Sequence, residues 1–309
     1  MKKHTSRILS LLLVLALLCS VFTVSAADSK DVSALTEYTQ GADTSAVKEF
    51  KISSADALTA LSSDIKPDDG KGTYNMAGVT FYLANDIKLS GSFTPISNVT
   101  YPADAFAGTF DGNGHSITGL SINSSSTGGV GLFGFVNGGT IQNLKVEGTI
   151  NSTASQFVGG IVGKTQGTVK ITNCSFSGSI TTSKSGSSAA AGGILGRVNS
   201  GSPEVRNCAN FADITSTGGL AAGIAGYIAR ASITIENCYN AGKIKALWYP
   251  SGIISNVSGK NSAKSVIENC YNIGEISVFP DKTFLAGISA NCSAAVSYTH
   301  LTLPTNREV

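Results

Sequence analysis

Residues that commonly carry catalysis or bind metals are sparse in this sequence. Its three histidines are His4, His115 and His300, so no two stand four residues apart, as the helical zinc site of a metalloprotease requires. The stretch 111–114 reads Asp-Gly-Asn-Gly just before His115. It lacks the further oxygen ligands of a calcium loop, so we interpret it as a tight turn. We therefore predict no metal site and no cofactor.

Charged residues recur at two positions about 30 residues apart. One position holds Thr149, Ser179, Asp213, Lys243 and Glu275, and the other holds Gln142, Thr172, Arg206, Glu236 and Glu268. An enzyme that cleaves polysaccharides needs acids clustered with arginine or lysine in one groove. The alternating signs of Asp213, Lys243 and Glu275 instead suit pairing between stacked neighbours. We predict that the chain is not an enzyme, with a catalytic polysaccharide-cleaving repeat domain as a weaker alternative.

Four of the six cysteines share one recurring position. They are Cys174, Cys208, Cys238 and Cys270, and Leu144 occupies the same position one step earlier. Replacement by leucine indicates an inward, apolar position, where cysteine behaves as a small hydrophobic residue. We predict buried reduced thiols, and disulfides stay open as the alternative if the protein is exported.

These recurrences belong to tandem repeats of about 30 residues. A first block reads Gly131-Leu132-Phe133-Gly134, Gly160-Ile161-Val162-Gly163, Gly193-Ile194-Leu195-Gly196 and Gly223-Ile224-Ala225-Gly226, then Gly252-Ile253-Ile254-Ser255 and Gly287-Ile288-Ser289-Ala290. A second block begins at Ile141, Ile171, Val205, Ile235 and Ile267, and an isoleucine follows at Ile150, Ile180, Ile214, Ile244 and Ile276. We expect three short strands in each repeat.

A repeat this short cannot bury its own apolar side, so the repeats must stack as a solenoid. We predict an all-β fold, a right-handed parallel β-helix, because parallel crossovers are almost always right-handed. In the second block two apolar residues stand three positions apart, which breaks the two-residue alternation of a strand. The asparagine between them should therefore lie at a bend, because asparagine tolerates the left-handed conformation. We predict a ladder of stacked amides formed by Asn143, Asn173, Asn207, Asn237 and Asn269.

Both blocks resemble the GLUG-motif repeats of bacterial surface proteins, which include the non-catalytic region of some immunoglobulin A metalloproteases. The resemblance covers residues 131–290 in six copies, and the last two copies depart from it at Ser255, Ser289 and Ala290. Upstream, residues 81–89 and 106–117 resemble the coils that often precede such repeats. The resemblance implies a β-helix and a role at the cell surface. The protease activity of those proteins does not transfer, because the zinc motif is missing.

The two ends of the chain differ from the repeats. Residues 1–26 have the cations, the apolar run and the final small residues of a signal peptide, so we expect bacterial export, secreted or to the cell surface, with no membrane span in the mature chain. Residues 27–71 should form an N-terminal segment with a short helical cap starting at Ser53 or Ser54. Coils then fill 72–130, and GLUG-type repeats fill 131–295. Residues 296–309 match no repeat, so we predict a non-native tail and missing downstream domains.

Cleavage of the signal would remove three cations from a chain of formal net charge +2, so we expect no nucleic-acid partner. Binding remains the favoured function class, as a surface adhesin or structural module. The alternative is an interaction domain of a larger exported protease or glycan-active enzyme. Host glycans or glycoproteins would bind aromatic rings. The candidates are Tyr239, Trp248, Tyr249 and Tyr271, which alternatively serve only to pack the coils.

Overall fold

The computed structural model describes residues 29–65, 70–258, 264–279, 284–292 and 296–299. The predicted signal peptide and residues 300–309 of the predicted tail lie outside this part of the chain. Within it, no helix has the length and apolar character needed to cross a membrane.

The chain forms a parallel β-solenoid of about seven turns, so the predicted all-β class and parallel stacking are confirmed. Its larger sheet has 20 strands and its smaller sheet has six. The larger sheet contains β1 (Thr36–Glu37), β2 (Glu49–Ile52), β3 (Thr80–Leu83), β4 (Ile87–Lys88), β5 (Thr109–Asp111), β6 (Ser116–Ser124), β8 (Thr140–Ser152), β9 (Phe157–Gly159), β11 (Lys170–Thr182), β12 (Ala190–Gly192), β14 (Glu204–Arg206), β15 (Ala209–Asn210), β16 (Asp213–Ala222), β18 (Thr234–Glu236), β19 (Tyr239–Asn240), β20 (Ile244–Ser251), β22 (Ser265–Glu268), β23 (Tyr271–Asn272), β24 (Ile276–Val278) and β26 (Val296–Thr299). The smaller sheet contains β7 (Phe133–Asn137), β10 (Val162–Gln166), β13 (Leu195–Val198), β17 (Ala225–Ala229), β21 (Ile254–Ser258) and β25 (Ser289–Cys292).

The strand register stacks equivalent residues of successive repeats. One interior column contains Ile141, Ile171, Val205, Ile235 and Ile267, and all five side chains are fully buried. Each repeat therefore covers the apolar side of its neighbour, which a single short coil cannot do alone. The main hydrophobic core runs through the coils from Tyr38 to Cys270.

The N-terminal segment contributes strands as well as a helix. The helix α1 (Ala55–Asp64) begins at Ser54, whose hydroxyl accepts a hydrogen bond from the backbone N–H of Ala57 at 3.1 Å. Its Leu58 and Leu61 are fully buried in the solenoid core. Strands β1 and β2 precede this helix and pair in parallel with each other, and β2 pairs with β3. The ladder therefore starts upstream of the predicted boundary at residue 72.

The first residues of the predicted tail also join the ladder. Strand β26 pairs in parallel with β22, and Tyr298 lies opposite Ile267. Residues 296–299 thus stack on the solenoid without matching the repeat in sequence, because a strand needs only matching backbone register to add to the stack. The non-native origin of the tail stays a prediction, as do the handedness of the coil and the capping role of α1.

Candidate functional site

The second repeat block builds a ladder of amides along one bend of the solenoid. The five asparagines have φ angles between 51° and 54°, a conformation that asparagine tolerates better than most residues. From the second asparagine onward, each Nδ2 donates to Oδ1 of the asparagine one coil earlier, at 2.9, 3.0, 3.1 and 3.2 Å. The residues are Asn143, Asn173, Asn207, Asn237 and Asn269. All the donors point toward the N-terminal end, so the amide dipoles align and reinforce one another.

A carboxylate terminates this amide ladder. Asp111 Oδ1 accepts from Asn143 Nδ2 at 3.0 Å, and Oδ2 accepts from Gln142 Nε2 at 2.8 Å. Asp111 Oδ1 also accepts from the backbone N–H of Asn113, at 2.8 Å, and Asn113 has φ 53°. The Asp-Gly-Asn-Gly stretch is therefore a turn, and its carboxylate is the last acceptor of the ladder. Among the described residues there is no group of acids, histidines or cysteines that could hold a metal ion.

The four repeat cysteines lie fully buried and without disulfide partners: Cys174, Cys208, Cys238 and Cys270. Each thiol donates to the backbone carbonyl two residues earlier, at 3.1–3.3 Å. Burial raises the pKa of Cys208 and Cys238. A hydrogen bond with Cys238, together with burial, holds the pKa of Cys270 well above its usual range. Thiolate formation is thus disfavoured at Cys208, Cys238 and Cys270, which suits packing rather than nucleophilic chemistry.

We expect all four thiols to resist iodoacetamide in the folded chain and to react once it is unfolded without reductant, because all four are fully buried and out of the reagent's reach. Mass spectrometry of the four cysteine peptides measures this, and a reduced and unfolded sample defines complete alkylation. Recovery of disulfide-linked peptides from the non-reduced sample would contradict the prediction.

A second amide ladder, inside the solenoid, was missed by sequence reasoning. Asn210, Asn240 and Asn272 lie two residues after successive cysteines. Asn210 Nδ2 donates to Asn240 Oδ1 at 2.7 Å, and Asn240 Nδ2 donates to Asn272 Oδ1 at 2.6 Å. This ladder points toward the C-terminal end, opposite to the outer one. Its sequence signal is the recurring pattern Cys-x-Asn in three copies.

The inner ladder explains the first glycine of the motif. A Cβ placed on Gly193, Gly223 or Gly252 would lie 2.3–2.4 Å from an atom of the asparagine that faces it. At Gly160 the facing side chain is Phe176, with a ring atom at 2.3 Å. The carbonyl oxygen of the next motif glycine lies closer still, at 2.1–2.2 Å, so the facing side chain and the backbone of the next coil together fill the space that a methyl group would occupy.

Charges on the exterior are paired along the ladder. Arg206 forms ion pairs with Glu204 in its own strand and with Glu236 one coil later. Lys243 Nζ lies 4.0 Å from Glu275 Oε2, and Asp213 Oδ1 accepts from the Lys243 backbone N–H at 2.9 Å. Opposite charges on neighbouring strands stabilise the stack.

The predicted aromatic residues divide into two groups. Tyr239 and Tyr271 stack with ring centroids 5.1 Å apart and an interplanar angle of 2°, and Phe211 contacts the edge of this stack. Tyr239 is only 1% exposed. The prediction that Tyr239 offers an exterior ring is therefore wrong, because the rings beside it cover it. Tyr271 is half-buried.

The second aromatic group lies in and beside β20. Trp248 and Tyr249 are half-buried, and the Tyr249 ring lies 5.6 Å from that of Phe284, which is 59% exposed. The register between β16 and β20 shifts at Trp248, and Tyr249 has φ 45°. This irregular stretch turns large side chains partly outward. We call Trp248, Tyr249 and Phe284 the aromatic patch.

Stacked coils of about 30 residues with interior asparagine and cysteine columns define a β-solenoid repeat protein. The family model of the GLUG motif matches residues 157–181, which run from β9 through most of β11. The predicted resemblance to GLUG-motif repeat proteins is thus confirmed.

Two known proteins are similar to this chain. Halomucin of Haloquadratum walsbyi is 41% identical over 91 residues, which are 29% of this chain and 1% of Halomucin. The chain therefore spans a very small part of that relative. A crystal structure described as "a putative immunoglobulin A1 protease from Bacteroides ovatus" superposes with a TM-score of 0.61 and 21% identity. That match covers 92% of this chain and 85% of the other, and it supports the same fold.

Proposed function

We propose that this chain is an exported, non-catalytic repeat module of a secreted or cell-surface bacterial protein, and that it mediates adhesion or presents other domains. The GLUG motif and the extended solenoid support an extracellular repeat domain. The signal-like residues 1–26 support export. A right-handed coil with α1 covering its N-terminal end completes the proposed architecture.

The observation that carries the proposal is that most distinctive side chains stabilise the solenoid itself, whereas the aromatic patch is partly exposed. Cysteines and inner asparagines pack the coils, Arg206 of β14 pairs with Glu236 of β18, and Lys243 lies 4.0 Å from Glu275. The aromatic patch differs, since Phe284 is 59% exposed and its neighbours are half-buried. Partly exposed aromatic rings offer large apolar area at low ordering cost, as binding surfaces require. Host glycans or glycoproteins are the partners that we propose for it and for the half-buried Tyr271.

One observation favours the alternative of an interaction domain within a larger exported enzyme. The chain shares its fold with the Bacteroides protein described above. In that case the same surface would bind a substrate that another domain cleaves.

Replacing Trp248 and Tyr249 together with alanine should weaken binding to host glycans or mucin glycoproteins at least tenfold, about 1.4 kcal/mol. The reason is the loss of two ring surfaces from the patch. Glycan arrays followed by calorimetry measure the effect, and circular dichroism checks the fold. The matched control is Tyr74→Ala with Tyr101→Ala, because these tyrosines are 49% and 51% exposed in an earlier part of the chain.

Equal binding by the Trp248/Tyr249 variant and the wild-type chain would refute the aromatic patch as the site. If the wild-type chain binds none of these ligands, the adhesive role is refuted and structural presentation is retained.

A further inference from the structure

A crevice in the N-terminal coils takes no part in the proposed function. It has a volume of about 570 Å³. One wall is formed by residues 29–33, which we call the strap, and the other by residues at the ends of β2, β3 and β5. The side chains that line it include Asp31, Val32, Lys51, Ser53, Ala84 and His115. A concave space of this size suits a small-molecule ligand.

Hydrogen bonds hold the strap against the coils near both of its ends. The backbone N–H of Lys30 donates to Asn113 Oδ1 at 2.7 Å, and Asn113 Nδ2 donates back to the Lys30 carbonyl at 3.0 Å. Lys51 Nζ donates to the Ser33 carbonyl at 3.1 Å, and Val32 between these anchors is buried. The crevice is therefore formed without a ligand, so binding need not order the strap.

Two opposite charges line the crevice within reach of solvent. Asp31 is exposed and Lys51 is half-buried. Asp31 Oδ1 accepts from the backbone N–H of Ser33 at 2.9 Å. Hydrogen bonds from Ser33 lower the pKa of Asp31, which keeps the carboxylate ionised at neutral pH. The carboxylate has further lone pairs, and the Lys51 ammonium has two N–H groups besides the one that holds the strap.

An imidazole adds a third polar group to this wall. His115 is half-buried, and its Nδ1 lies 3.6 Å from Asp86 Oδ1. Asp86 Oδ1 is itself fixed by the backbone N–H of Ser116, which donates to it at 2.8 Å. Because Asp86 occupies the Nδ1 side of the ring, Nε2 is the nitrogen that can meet a ligand.

The balance of charges in the crevice favours a neutral ligand. An anion that meets Lys51 would also be repelled by Asp31, and a cation would have the opposite difficulty. A hydroxyl group can donate to the carboxylate and accept from the ammonium. A zwitterionic amino acid could match both charges, but it would fill only a small part of the crevice. Sugar rings fill more of it and place their C–H faces against apolar side chains such as Ala84.

We propose that the crevice under the strap binds a neutral saccharide of one or two rings. Asp31 accepts hydrogen bonds from sugar hydroxyls, and Lys51 and His115 supply the complementary contacts. Asn113 is a positioning residue, because it holds the strap in place. The site does not depend on the proposed function, since the aromatic patch is built from β20 and Phe284, in a different part of the chain.

The test uses the full chain, with lactose, cellobiose and maltose as probes. The NMR signal of the His115 ring, identified by its loss in His115→Gln, should shift on titration and give a dissociation constant. Replacing Asp31 with asparagine and Lys51 with methionine should raise this constant at least tenfold while circular dichroism stays unchanged. Asn113→Gly should raise it at least threefold, because glycine accepts the φ of 53° but cannot hold the strap.

The matched control is Asp43→Asn with Lys48→Met, which removes the same two charges from exposed positions outside the crevice. Asp43 Oδ1 accepts from the backbone N–H of Ser45 at 2.9 Å, and Lys48 Nζ donates to the Thr44 carbonyl at 2.7 Å. The control therefore alters local hydrogen bonds of the same kind. It should change the dissociation constant less than twofold.

Four results would overturn the proposal. They are an unshifted His115 signal with all three disaccharides, an equal loss in the control variant, tighter binding of glycylglycine than of any disaccharide, and loss of disaccharide binding when Trp248 and Tyr249 are replaced instead. The third result would identify a zwitterion as the ligand, and the fourth would place the sugar on the aromatic patch. If the double variant fails to fold, an unchanged affinity of Asp31→Asn alone overturns the site, since asparagine has the same shape as this exposed carboxylate.

Discussion

Replacing Gly223 with alanine should lower the free energy of unfolding by about 3 kcal/mol, although it adds a single methyl group. The new Cβ would lie 2.2 Å from the carbonyl oxygen of Gly252 and 2.4 Å from Cβ of Asn240. One of these obstacles is backbone, so neither coil can relieve the overlap by changing a side-chain rotamer. Urea denaturation followed by circular dichroism measures the loss.

The motif provides its own control for this prediction. Gly287 holds the same position in the sixth copy, and a Cβ there would meet nothing within 4 Å. Gly287→Ala should therefore leave the urea midpoint nearly unchanged. If both variants lose the same stability, intrinsic backbone preference rather than the facing side chain explains the motif glycine.

The stacked fold could be predicted because its signals repeat. The apolar column at Ile141 and Ile171 and the asparagine bend at Asn143 recur in the first five copies, and only stacking can bury such short coils. The position of Cys174 could be inferred from Leu144, because both fill the same interior space. In each case the inward direction or the bend is set by the residue's position within one repeat.

Side-chain exposure was harder to predict because it depends on neighbouring coils. Lys145 and Tyr239 hold the same repeat position, directly after the interior Leu144 and Cys238, and Lys145 is exposed. Tyr239 belongs to the fourth copy, and Phe211 of the third copy and Tyr271 of the fifth pack against it and bury it. The position of a residue within one repeat predicts which way its side chain points. It does not predict whether side chains of the neighbouring coils cover it.

Two further features needed the three-dimensional register. The residue after the motif glycine is Phe135, Lys164, Arg197 and then Tyr227, so the position shows no common chemistry along the sequence. Pairing of the strands is what brings these side chains into one column. The inner ladder was missed because an asparagine such as Asn240 is usually exposed, whereas here it is fully buried.

The inner ladder should make Asn240 far less tolerant of a buried charge than its outer counterpart. Asn240 accepts from Asn210 and donates to the Gly242 carbonyl at 2.9 Å and to Asn272 Oδ1 at 2.6 Å. An aspartate has nearly the same shape but, when ionised, donates to neither acceptor. Asn240→Asp therefore sets oxygen against oxygen inside the core and should cost about 4 kcal/mol of unfolding free energy.

The comparison variant for Asn240→Asp is Asn237→Asp, three residues away in the exposed outer ladder. Asn237 donates to Asn207 at 3.1 Å and accepts from Asn269 at 3.2 Å. Water can solvate a carboxylate at this exposed position, and aspartate tolerates its φ of 53°. The loss should be about 1 kcal/mol, measured for both variants by urea denaturation at pH 7. Similar losses of unfolding free energy in the two variants would contradict the inference that the inner amides are shielded from water and depend on one another for hydrogen bonds. A smaller loss for Asn240→Asp than for Asn237→Asp would exclude that inference.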